Sequence, residues 1–89
     1  PSLAELLLEV PYGELYARPL LDLPTKEAVA CLLLALQRRE PELRGHARGA
    51  LRVGLAETEL RAALALAGRL GGPTTQEVVN RTLAASHRP

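Results

Sequence analysis

Residues 27–54, "EAVACLLLALQRREPELRGHARGALRVG", decide how this chain folds. Ala28, Val29, Cys31, Leu32, Leu33, Leu34, Ala35 and Leu36 do not alternate in the manner of a strand, and as a helix they have almost no polar side. With Thr25 as its cap and Pro24 just before it, the run predicts a central, buried helix over roughly 26–39. Pro41 suits the first position of a second helix, and Gly54 suits its stop. Here Leu43, Ala47, Ala50 and Leu51 recur at helical spacing, so this helix is amphipathic. His46 stands at the border of its apolar stripe, beside Glu42, Gly49 and Val53, with Arg44, Arg48 and Arg52 on the other side.

The flanking segments read the same way. "SLAELLLEV" (residues 2–10) predicts a helix capped by Ser2, with Glu5 three positions on as in a capping box, and closed by Pro11. A short turn of helix is expected near 14–17 in a stretch rich in Pro and Gly. Another helix is predicted from Glu57 to Leu70, with Leu60, Ala63, Leu64 and Ala67 on one face and Gly71-Gly72 ending it. Pro73 opens a last helix to about Ala85, with Val78, Val79 and Leu83 inward. The expectation is an all-α fold, a small bundle of antiparallel helices forming a single domain over 1–89.

Composition narrows the classes. A core in a chain of 89 residues is marginal, and small domains draw stability from disulfides, metals or self-association. A single cysteine excludes an internal disulfide, and no Cys/His cluster has structural-zinc spacing. Self-association is the remedy left. Hydrophobic residues make up 47% although Phe, Trp and Met are absent, so Leu, Ala and Val must pack by close helix approach. A net charge of +1 gives no electrostatic footprint for nucleic acid or an anionic membrane. "AVACLLLAL" is too short to span a bilayer, and no cleavable export segment is recognisable, so the expected location is cytoplasmic. The preference for Arg over Lys suggests a GC-rich bacterial source.

Two places carry chemistry-bearing side chains. His46 reads first as a half-buried imidazole satisfied by a carbonyl or a nearby acid. Glu27 and Cys31 are four apart and share a helix face; Glu27 sits in the first turn, where the helix dipole favours a carboxylate. Cys31 reads as a small core residue before it reads as a nucleophile. If Glu27 and His46 met across the helix pair, an acid would orient an imidazole, the minimal kit for proton transfer. There is no phosphate loop and no nucleophile elbow. The spacing Ala50-x-x-x-Gly54 suits a helix-turn-helix, but the helix after it, with Arg61 and Arg69 as its long polar reaches, is a poor reader of DNA.

From residue 16 to about 85 the chain resembles the carboxymuconolactone decarboxylase family, which shares its fold with the alkylhydroperoxidase-D proteins. The pieces that carry the resemblance are "YARPLLDLPTKEAV", "ELRGHARGALRVGLAETEL" and "GGPTTQEVVNRTLA", in the family's order and spacing. The resemblance implies a homo-oligomer, a trimer or hexamer, in which His46 is the motif histidine and Glu27 the acid of the preceding helix. In the peroxidase branch these two serve a Cys-x-x-Cys pair; its positions here are Arg39 and Glu42, so the dithiol chemistry is missing. The decarboxylase branch implies no metal and no cofactor, a small carboxylated lactone as substrate, and Arg18 as the group that holds its carboxylate. Lys26 replaces the family's usual Arg, Ala56 its capping Thr, and Arg69 or Leu70 its aromatic residue before the Gly-x-Pro turn. Two other readings stay open: a non-catalytic oligomeric binding or scaffold member, and a thiol-dependent antioxidant using Cys31.

Overall fold

The computed structural model describes residues 22–86. The helix expected over 2–10, the turn at 14–17 and Arg18 lie outside the described residues. Four helices fill the described part: α1 (Leu23–Leu36), α2 (Glu40–Arg52), α3 (Glu57–Gly71) and α4 (Pro73–Ser86). No strand occurs among the described residues, and the all-α reading stands. Among them no helix is long and apolar enough to cross a membrane.

Helix α1 starts and stops earlier than its sequence predicts. Its cap is Asp22, not Thr25: the Asp22 carboxylate accepts a 2.8 Å hydrogen bond from the Thr25 N–H, and Pro24 lies inside the first turn. A proline there loses no helical hydrogen bond, because the first N–H groups have no partner in the helix. The Thr25 N–H holds the Asp22 carboxyl below its ordinary range. At the other end Arg38 adopts φ +56°, and the N–H groups of Arg38 and Arg39 reach back to the carbonyls of Ala35 and Leu34. That is a Schellman stop with an arginine in the left-handed position where glycine is usual. The same pattern closes α2 with glycine: Gly54 has φ +103°, and the N–H groups of Gly54 and Leu55 bond to Leu51 and Ala50.

Between these stops the core assembles around α1. Every residue from Ala30 to Leu36 is buried, and α1 packs most extensively against α3 and α2. Leu43, Ala47 and Ala50 of α2, Leu60, Leu64 and Ala67 of α3, and Val78 and Val79 of α4 complete the cluster, with Leu83 partly buried against it. Each fully buried leucine contributes about 1.5–3 kcal/mol over an exposed one. Thr75 and Thr82 of α4 are buried among these apolar side chains. The Thr82 hydroxyl avoids a desolvation cost by donating to the Val78 carbonyl at 2.8 Å. Gly68 and Gly71 let α3 meet α4 closely, since a Cβ on either would collide with the side chain of Gln76 or Thr75.

Candidate functional site

The α1–α2 hairpin brings its two candidate residues together. Gln37–Arg39 reverse the chain, so the early turns of α1 lie beside the middle of α2. The result is a 2.8 Å hydrogen bond between His46 Nδ1 and Glu27 Oε2, from positions nineteen apart in sequence. A carboxylate has no proton to give, so Nδ1 must be the donor. That assigns the neutral imidazole its tautomer: Nδ1 carries the hydrogen, and Nε2 is left as a lone pair.

Exposure divides the pair by role. The Glu27 side chain is 15% exposed and the His46 side chain 40%. The acid is therefore anchored while the imidazole edge stays within reach of a small molecule. Both line an open depression of about 370 Å³, together with Gly45 and Gly49 of α2. A Cβ on either glycine would meet nothing within 4 Å, so the space beside the imidazole is clear. Glycine inside a helix costs about 1 kcal/mol relative to alanine. Neither glycine here has a positive φ or a tight neighbour that would call for it.

Cys31 lies one turn beyond Glu27 and is fully buried. Burial first, and the Glu27 charge second, push its thiol up to about 12. The thiol is protonated at neutral pH, and no surface leads to it. Arg39 and Glu42, at the positions of the dithiol pair, face each other as a 3.2 Å ion pair at the surface. Among the described residues no group of three or more His, Cys, Asp and Glu side chains is gathered in a way that could hold a metal.

One constellation has no signal in the sequence. Glu40, at the start of α2, accepts hydrogen bonds of 2.8, 3.0 and 3.3 Å from Arg81 of α4, and one of 2.7 Å from Arg44. The Arg81 hydrogen bonds are the main reason the Glu40 carboxyl lies below its ordinary range, and the same contact raises Arg81. The Arg44–Glu40 spacing is the familiar i,i+4 pair. Arg81, forty-one residues away, joins only through the packing of α4 on α2.

The comparisons with known proteins identify a family. A model of the Carboxymuconolactone decarboxylase family matches residues 1–84, nearly the whole chain and fifteen residues further toward the N-terminus than the motifs alone suggest. No curated protein and no solved structure matches the sequence.

Proposed function

The chain belongs to the carboxymuconolactone decarboxylase family, and from that premise we propose that it is a cofactor-free decarboxylase acting on a small carboxylated lactone by proton transfer at His46. The observation that carries the reading is the 2.8 Å contact between His46 Nδ1 and Glu27 beside an open depression. Loss of carbon dioxide from a β,γ-unsaturated acid breaks the bond to the carboxyl carbon and sends its electron pair into the unsaturated lactone. The γ carbon must then receive a proton. His46 as imidazolium delivers it from Nε2, Glu27 holds the ring and its charge, and water returns a proton to Nε2. Arg18, outside the described residues, is assigned the substrate carboxylate on the family's Arg-Pro motif alone. The active form is a homo-oligomer, a trimer or hexamer.

The buried, protonated state of Cys31 weighs against the thiol-dependent antioxidant reading. The test is turnover of γ-carboxymuconolactone, followed as carbon dioxide release. His46→Ala should lower it by about 10²–10⁴-fold, the usual contribution of a positioned acid or base. Glu27→Gln should lower kcat with KM little changed and shift the pH profile, because an amide no longer imposes the tautomer. Equal turnover in His46→Ala would remove the acid/base assignment. A wild-type chain inert toward carboxylated lactones would leave the non-catalytic scaffold reading in its place. A stable monomer in sedimentation would contradict the assembly.

A further inference from the structure

Six glycines lie among the described residues, and the fold accounts for four of them. Gly54 and Gly72 have positive φ, +103° and +86°, where a side chain is strained. Gly68 and Gly71 lie so close to Gln76 and Thr75 that a Cβ on either would collide. Gly45 and Gly49 have neither reason. A Cβ on them meets nothing within 4 Å, and both stand inside α2, where glycine is less favourable than alanine.

These two are not scattered. Both line the depression that holds His46 and Glu27, one helical turn apart. At about 100° per residue, Gly49 lies between Gly45 and His46 around α2, so the glycines continue from the imidazole across the open side of the helix. Over them the helix backbone is bare. The bare length is about 6 Å, four residues at about 1.5 Å each, the scale of one small ring.

We propose that Gly45 and Gly49 set the size limit of the substrate, admitting a lactone whose γ carbon carries a group on each face of the ring. The assignment rests on His46 as the group that transfers the proton, and adds what clears the space around the reacting carbon. Loss of carbon dioxide into an unsaturated ring requires the breaking bond to stand off the ring plane, where its electrons overlap the π system. A lactone of this kind is therefore thick at the carbon that reacts, and bare backbone beside His46 leaves it room. A methyl at position 45 or 49 would hold that carbon away from the imidazole, and a displacement of about 1 Å can cost about 10²-fold in rate. Glycine at both positions exchanges helix stability for that room.

The experiment titrates ¹⁵N-labelled full-length protein with two rings that have no carboxyl to lose. One is 2(5H)-furanone; the other is 5,5-dimethyl-2(5H)-furanone, whose γ carbon carries a methyl on each face. Binding is read from the amide resonances of α2, and the wild type should bind both rings saturably. Gly45→Ala and Gly49→Ala should each raise the thermal midpoint, keep the bare ring, and weaken the dimethyl ring by about tenfold, the scale on which one misplaced methyl is felt in a pocket. In turnover of γ-carboxymuconolactone the same variants should lower kcat/KM. Arg52→Ala, on α2 away from the depression, should bind both rings as the wild type does. No saturable shift with either ring, or alanine variants that bind the dimethyl ring undiminished, would overturn the assignment. A thermal midpoint that falls would also overturn it, by giving the glycines a part in the fold. So would sedimentation in which Gly49→Leu breaks an assembly while ring binding is unchanged, which would give them to a helix of a second copy. Ring selection without carbon dioxide release would leave the size limit standing while the decarboxylase reading falls. Turnover at unchanged kcat/KM in both alanine variants would do the reverse.

Discussion

Helices α1 and α2 lie side by side, are nearly equal in length, and do opposite jobs. Ala30 to Leu36 of α1 are buried without a break, whereas only Leu43, Ala47 and Ala50 of α2 are buried. The polar side chain that α1 lends to the site, Glu27, stands in its early turns, before the buried run begins. Helix α2 bears polar side chains on two flanks, with His46 on one and Arg44 and Arg48 on the other. Stability is concentrated where the chain has no polar choice, and the candidate site lies where one apolar stripe suffices to hold the helix. The stops repeat the contrast. Both helices end in a left-handed residue, but α1 uses Arg38 where α2 uses Gly54.

Changes on the two helices should separate by size. Leu34→Ala in α1 should cost about 2–5 kcal/mol of unfolding free energy, while Arg52→Ala in α2 should stay within about 0.5 kcal/mol. Denaturant unfolding measures both, and similar losses would break the contrast. Cys31 probes the same buried run: a thiol reagent should leave it unmodified in the native protein at pH 8 and label it fully in denaturant. Rapid native labelling would mean that α1 opens locally. Because the unfolded thiol ionises near 9.0 and the folded one at about 12, stability should also fall as pH rises through that interval.

Smaller effects sharpen the picture at the helix ends. Arg38→Gly should make the stop of α1 like that of α2 and raise stability by about 1 kcal/mol, the strain of a non-glycine residue in the left-handed region. A thermal midpoint that falls would show that the arginine side chain has a role of its own. The smallest effect concerns acid. Asp22 and Glu40 titrate below their ordinary 3.8 and 4.5 in the folded chain. Their contribution is therefore complete above those values and is lost as pH falls through and below them. In Asp22→Asn and Glu40→Gln the acid limb of an unfolding curve should be flatter than in the wild type. An unchanged slope would mean that neither contact outlives solvent screening.

Much of the fold was legible before any coordinates. The helix order, the enclosure of Ala30–Leu36 and the stops at Gly54 and Gly72 follow from apolar periodicity and from glycine's access to positive φ. The start and stop of α1 were not. Thr25 and Asp22 are both good caps, and the choice depends on whether Pro24 lies in or before the first turn. Arg38 carries no local mark of a left-handed residue. Its conformation is imposed by the need to turn α2 back onto α1.

For the site, residue types and spacing nominated Glu27, Cys31 and His46, and sequence alone left each with a plain structural alternative. Tertiary structure set their surroundings. The hairpin set Glu27 against His46 and so assigned the imidazole tautomer, because a hydrogen bond between residues nineteen apart depends on how two helices are set together. It enclosed Cys31 and raised its thiol, because desolvation is a property of surroundings rather than of residue type. It drew Arg81 to Glu40 across forty-one residues and left Arg44 Nε without an acceptor. Local preference, written residue by residue, determined which helices form. Their distances and their water decided what the side chains between them can do.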